Sequence, residues 1–208
     1  MEKPSSALIV VDIQNDFCPG GALSVPAGDE VVDPINAAMR SFERVVLTQD
    51  WHPADHVSFA SSHPGRSVGD SIDASGVAQL LWPDHCVQGT KGAAFHPRLD
   101  SDRASMIIRK GFRPSLDSYS CLFENDRATP TGLEGWLRSV GVSTIFLAGL
   151  ATDYCVLYTA LDAIRLGFEA VVIGDCVRAV GAPPGSGERA IESLKAAGAS
   201  FARSGDLR

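Results

Sequence analysis

TIFLAGLATDYC, residues 144–155, is the stretch on which the fold turns. Its first part, Thr144–Ala148, is a short, β-branched apolar run without strict alternation. Such a run suits a strand buried on both faces of a parallel sheet. Its second part, GLATDYC, hands the chain to a helical pattern over Tyr154–Leu166 and sets Cys155 in that pattern's first turn. A strand, a short turn and a helix with a reactive side chain at the junction is how open α/β sheets present chemistry, at the carboxyl ends of their strands.

The same kind of run recurs on both sides of this stretch. Ala7–Ile13, Arg44–Thr48, Ser105–Arg109 and Ala170–Ile173 read as strands, with a weaker sixth near Ser200–Ala202. Helical patterns over Val31–Phe42, Leu133–Val140 and Glu188–Ala197 lie between several of them. Alternating strand and helix predicts an α/β layered fold with right-handed crossovers. The segment from Trp51 to Arg103 breaks the rhythm: it is rich in His, Pro, Gly, Ser and Asp and has little helical periodicity. Long irregular connections inside compact domains are usually functional or disordered. There is no internal repeat or low-complexity tract, and 208 residues suffice for one core. A single domain over residues 1–208 is expected.

Composition narrows the partners. The formal net charge is -7, with both signs scattered, which argues against nucleic acid or an anionic membrane and leaves a small-molecule substrate. Ala7–Val11 is far too short to span a bilayer, and no secretory leader pattern accompanies it. A cytoplasmic protein is expected. Five cysteines, at 18, 86, 121, 155 and 176, form no CxxC pair. That is a poor disulfide framework, so each is read as a reduced thiol, either a small buried hydrophobe or a reactive group.

The residues that follow the strands carry the chemistry. Asp12 follows the first (VVDIQNDF), Asp50 and His52 the second (LTQDWHP), Lys110 the third (MIIRKGF) and Cys155 the fourth. An isolated cysteine is by default buried and inert; convergence with Asp12 and Lys110 reverses that expectation. Thr152 reads as a helix N-cap, which places Cys155 where the helix dipole and free N–H groups favour a thiolate and can hold an oxyanion. Asp12 can take and return a proton, and a carboxylate at the end of a buried strand calls for a partner such as Lys110. Asp50 and His52, two apart, point to one side of an extended segment. Carboxylate plus imidazole is a ligand set for zinc, iron or manganese, with His56 and His85 the nearest additions. Phe17, Trp82 and Tyr119 are candidates for an aromatic pocket, with core packing as their plainer role. The GSG at Gly185–Gly187 reads as a turn rather than a phosphate loop.

Taken together, VVDIQNDFCPGG, TQDWHPADH, WPDHCVQGTKGAAFHP, RKG, LDSYS and GLATDYCV resemble the signature blocks of the nicotinamidase/pyrazinamidase family, within the isochorismatase-like hydrolases. They stand in family order between about residues 7 and 180. The resemblance implies a three-layer αβα sandwich around a six-stranded parallel sheet. It implies a catalytic triad of Asp12, Lys110 and Cys155, and one divalent metal, zinc ahead of iron or manganese, on Asp50, His52 and His85. His56 matches an additional ligand of some relatives, and His96 receives no metal role. Ala151 matches the residue whose N–H joins that of Cys155 in an oxyanion hole, and Leu150–Ala151 is the candidate for a non-proline cis peptide. Phe17, Leu23, Trp82, Tyr119 and Ala151 fall where the family binds its substrate. The implied reaction is hydrolysis of the carboxamide of nicotinamide to nicotinate and ammonia through a thioester, with pyrazinamide as a further substrate and NAD recycling as the setting. A homo-oligomer is compatible with it. Ser67–Leu80 has no clear motif, and GFRPSLDSYSCLF departs from the family's substrate-side loop, which leaves preference among ring amides open. Two rivals stand beside this reading: a related hydrolase of another small amide or enol ether, and a metal-stabilised binding protein without catalysis.

Overall fold

The computed structural model describes residues 5–207. Six parallel strands form one sheet: β1 (Ser5–Val11), β2 (Val45–Asp50), β5 (Met106–Lys110), β6 (Val142–Leu150), β7 (Glu169–Arg178) and β8 (Ser200–Ala202). Their spatial order is β5-β2-β1-β6-β7-β8. β3 (Ser71–Ala74) and β4 (Val77–Leu80) pair separately as a small antiparallel hairpin. That hairpin occupies the stretch where the sequence shows no motif. It was not expected, because four-residue strands with exposed positions carry too little apolar periodicity to register.

Alternation along the central strand builds the layers. Ala7, Ile9 and Val11 pack into one apolar core, Leu8 and Val10 into another, and all five are buried. Successive side chains of a strand point to opposite faces, so β1 divides the two cores. The first core receives Leu133 and Leu137 of α2 (Leu133–Ser139), Ala160 and Ala163 of α3 (Leu157–Arg165), and Leu194 of α4 (Ser186–Ala197). The second receives Val32, Ile35, Ala38 and Met39 of α1 (Val32–Met39). Each fully buried Leu or Ile stabilises by about 1.5–3 kcal/mol relative to leaving it in water. The expected helix–sheet–helix sandwich with six parallel strands is the observed one.

Boundaries differ where turns take over. The segment expected to be helical from Tyr154 instead opens with a π-turn over Thr152–Val156 before α3 begins. The turn's cap position is Ala151, with no side-chain capping bond, so the N-cap role expected of Thr152 is not realised. Val31 lies in a 3-10 turn ahead of α1, and the helical pattern expected to reach Phe42 ends at Met39. The first strand stops at Val11, because Asp12 turns into the left-handed region with φ 48°.

Strand order places the functional edge. From β1 the chain builds outward through β2 to β5, then returns to the other side of β1 with β6. The point of reversal therefore lies between β1 and β6, and a crevice opens at such a switch point. Gly149 permits the close approach there: its φ is +113°, and a β-carbon would press into the backbone of Val11. Gly149→Ala is expected to cost about 3 kcal/mol or more, read from the urea midpoint. An unchanged midpoint would mean that β6 can draw away from β1 freely.

Candidate active site

Asp12 leaves β1 in its left-handed turn and is locked by Thr48 from the neighbouring strand. The Asp12 N–H donates to Thr48 Oγ1 at 3.1 Å, and the same hydroxyl donates to Asp12 Oδ1 at 2.5 Å. Asp50 and Lys110 end β2 and β5 and stand directly opposite in the parallel register. Lys110 Nζ lies 2.8 Å from Asp12 Oδ2, donates to Asp50 Oδ1 and to the Ser118 carbonyl at 3.1 Å, and reaches Cys155 Sγ at 3.4 Å. The expected pairing of Asp12 with Lys110 is present. The bond from Lys110 to Asp50 was not anticipated; it ties the two candidate groups together.

Lys110 is 1% exposed and Asp12 fully buried. Burial disfavours the charged form of each, and only mutual pairing makes such charges tolerable. Burial works against the Lys110 ammonium, yet the Asp12 and Asp50 carboxylates hold its pKa well above the usual lysine value. Burial raises the Asp12 carboxyl above the ordinary range, with Lys110 pulling it down. Burial pushes the Cys155 thiol well up, again against the pull of Lys110. Burial thus favours the thiol form, against the thiolate that a helix N-terminus would favour. A buried carboxylate with raised basicity beside a thiol is equipped to take its proton.

A second group adjoins the first. Ligand atoms of Asp50, His52 and His85 all lie within 4.8 Å of one another. His52 Nε2 is 3.5 Å and His85 Nε2 3.9 Å from Asp50 Oδ2. The opposite ring nitrogens are engaged outward, Nδ1 of His52 with the Gly111 carbonyl at 2.8 Å and Nδ1 of His85 with the Pro83 carbonyl at 2.7 Å. Histidines oriented in this way present their free nitrogens to a common centre, as metal-binding histidines do. Gly111 must be glycine for this, with φ +62° and no room for a β-carbon against the His52 ring. Burial and the neighbouring His52 hold His85 down to about 4, a neutral imidazole. At Asp50 burial raises the pKa, but Lys110 and His52 outweigh it and hold the carboxyl well below its usual range. At His52 burial lowers the pKa, but the Asp50 carboxylate outweighs it and raises it. The donor set of one carboxylate and two imidazoles fits a divalent metal ion, which would take the place of a proton there.

His56 lies beside this group, with its ring 4.2 Å from that of His52 and Nδ1 bonded to Ser58 Oγ at 2.7 Å. It gathers with His52 and Asp117 in a further cluster rather than with Asp50 and His85. His96 lies at a separate cavity with Asn15, Asp16 and Lys91.

One cavity joins the two groups. Phe17, Leu23, Trp82, Tyr119 and Ala151, the five expected substrate-binding residues, line it together with Asp50, His52, His85 and Cys155. Trp82 Nε1 donates to the Tyr119 hydroxyl at 3.0 Å, and Phe17 meets His85 edge-on with ring centres 5.5 Å apart. The Leu150–Ala151 peptide is cis, as expected. Asp117, Tyr154 and Val180 also line the cavity and escaped the sequence reading. Tyr154 had a signal in its place beside Cys155; Val180, in a loop with no motif, had none. Gln14 was missed as well. Its side chain donates to the Asp50 carbonyl and accepts from the Asp50 N–H, both at 2.8 Å, which fixes the backbone of a candidate ligand.

With this geometry established, the comparisons with known proteins are specific. The Isochorismatase domain family matches residues 6–206. The chain is 49% identical to a nicotinamidase of Acinetobacter baylyi over 174 residues, 84% of this chain and 81% of that one. Its fold superposes on an Acinetobacter baumanii nicotinamidase/pyrazinamidase with a TM-score of 0.96, at 46% identity over 100% of both chains. A pyrazinamidase of Pyrococcus horikoshii, solved in complex with zinc, matches with a TM-score of 0.77 at 39% identity, over 96% of this chain and 99% of that one.

Proposed function

The chain belongs to the isochorismatase-domain family, in its nicotinamidase/pyrazinamidase branch, and we propose that it works there as a nicotinamidase with Cys155 as nucleophile. It hydrolyses nicotinamide to nicotinate and ammonia, and acts on pyrazinamide as well. The observation that carries the residue assignment is the single aromatic-walled cavity shared by Cys155 and the Asp50, His52 and His85 cluster.

In this reading Asp12 takes the proton of Cys155, and the sulfur attacks the carboxamide carbon. The N–H groups of Ala151 and Cys155 hold the oxyanion that forms, an interaction strongest in a water-excluded site. As the C–N bond breaks, Asp12 returns the proton to the leaving ammonia and a Cys155 thioester remains. Water then attacks the thioester carbon while Asp12 takes one of its protons. The C–S bond breaks, the Cys155 sulfur receives that proton, and nicotinate leaves with the second proton released to solvent. Lys110 favours the ionised form of Asp12 before each proton transfer and orients it throughout. Phe17, Trp82 and Tyr119 wall the ring, and Leu23 closes one side.

Asp50, His52 and His85 hold one divalent ion. Zinc is our first assignment, supported by the zinc complex of the Pyrococcus horikoshii relative. When bound, the ion supplies a Lewis acid for the ring nitrogen and so fixes which way the carboxamide faces. Released nicotinate returns the ring towards NAD, a step we place in the cytoplasm, where reduced thiols such as these five persist.

Ammonia release from nicotinamide, with pyrazinamide in parallel and protein of known metal content, tests the activity. Rapid release is expected. None from a folded, metal-loaded sample would overturn the substrate assignment. His52→Ala is expected to weaken metal binding by at least about 100-fold, since even outer partners of ligands contribute 10- to 100-fold. Metal analysis after dialysis reads this, and an unchanged content would remove His52 from the ligand set.

A further inference from the structure

Asp153 sits in the π-turn between Ala151 and Cys155, is 6% exposed, and takes no part in the chemistry above. Its carboxylate accepts from the Val180 N–H at Oδ1 (2.9 Å), and from the Gly181 N–H (2.9 Å) and Ser186 Oγ (2.5 Å) at Oδ2. All three donors belong to the segment between the end of β7 at Arg178 and the start of α4 at Ser186. The next residue ties the same segment again, with the Tyr154 hydroxyl donating to the Ala182 carbonyl at 2.6 Å.

The π-turn has bonds of its own, because the Ala151 carbonyl accepts from the N–H groups of both Tyr154 and Val156 at 3.1 Å. The Asp153 side chain is spent wholly on the neighbouring loop. That loop matters to the site, since Val180 lines the same cavity as Ala151, Tyr154 and Cys155. Bonds to an ionised acceptor are shorter and roughly twice as strong as neutral ones. A buried carboxylate that lost its donors would be costly.

We infer that Asp153 is a positioning residue for the substrate: it clamps the 180–186 segment against the nucleophile turn, so that Val180 and Tyr154 stand as a fixed wall beside the bound ring. The inference rests on the amidase reading for its kinetic test, but not for its chemical one. A wall held at a set distance from Cys155 governs how tightly a flat ring is gripped and how large a reagent reaches the sulfur. It does not touch the atoms that react.

Asp153→Asn keeps the shape but loses the charge, and one of its two terminal atoms becomes a donor facing donors. It is expected to raise KM for nicotinamide by about 10- to 100-fold while kcat changes by less than about 3-fold, the signature of lost ring binding rather than lost chemistry. Alkylation of Cys155 by a bulky maleimide is expected to speed up relative to iodoacetamide. Ser186→Ala and Tyr154→Phe each remove one tie from the other partners and are expected to shift both readouts the same way by smaller factors. They keep the test open if Asp153→Asn does not fold. Unchanged KM and an unchanged ratio of alkylation rates in the folded variants would overturn the inference. Should the parent protein release no ammonia from nicotinamide, the amidase reading fails, and the alkylation ratio alone still decides the role of Asp153.

Discussion

Cys155→Ala is expected to lower ammonia release from nicotinamide by on the order of 10⁴-fold or more, the scale on which loss of a covalent nucleophile is felt. The sulfur lies 3.4 Å from the Lys110 ammonium, at the mouth of the turn after β6 and inside the cavity walled by Trp82 and Tyr119. No other cysteine lines that cavity, so none can take over the attack. The substitution removes one small atom from a nearly buried position, and the fold should survive it. Asp50, His52 and His85 keep their mutual geometry, so bound metal is expected to stay at the parent level. Mass spectrometry of the parent protein quenched during turnover should find an acyl adduct on Cys155 that the variant lacks. Turnover in the variant near the parent rate would end the nucleophile assignment.

Lys110→Met is expected to have the next largest effect, on stability and activity together. The ammonium is the shared partner of two buried carboxylates. Removing one partner of a buried ion pair leaves uncompensated charge and typically costs about 3–5 kcal/mol. Methionine fills much the same volume, so the loss reports charge rather than a cavity. The sign of the pH effect follows from the same pair. Burial already raises the Asp12 carboxyl, and Lys110 is what lowers it. Without Lys110 the pKa of Asp12 climbs further, and its proton-accepting form is populated only at higher pH. The acid limb of kcat/KM is therefore expected to move to higher pH, with turnover near neutrality falling about 10³-fold. Urea unfolding and a pH–rate profile on the same preparation read both effects. An acid limb that stays in place would detach Lys110 from Asp12 function and leave it a purely structural cation.

Much of this site could be read along the chain because each reactive side chain follows a strand. Asp12, Asp50, Lys110 and Cys155 all leave the sheet at the same edge, and a parallel sheet delivers every such residue to one side. Four of the five expected pocket residues, Phe17, Trp82, Tyr119 and Ala151, were legible for a different reason: they stand in short motifs whose order matches a known family, and Leu23 lies two residues beyond one of them. Val180 had neither advantage, and Asp117, though inside the LDSYS motif, follows no strand. They reach the cavity from loops whose path depends on what they pack against, and loop composition carries no record of that path. The small β3–β4 hairpin escaped for the same reason.

The order of apolar runs, the period that separates strand from helix, and the residue types at the strand ends were settled by local sequence alone, since steric preference and hydrophobic period act over a few residues. Protonation, partnership and register were not. Lys110 bonds Asp50 as well as Asp12 only because β2 and β5 lie side by side with those residues opposite. Folding removes water from Cys155 and pushes its thiol pKa up against the pull of Lys110, a balance that no local stretch of sequence shows. Asp153 meets residues 180–186 across a gap of about thirty residues that the pairing of β6 with β7, with Leu150 opposite Arg178, and the packing of α4 against the turn close. Burial and long-range pairing are properties of the folded whole, and the strength of each charge in this site follows from them.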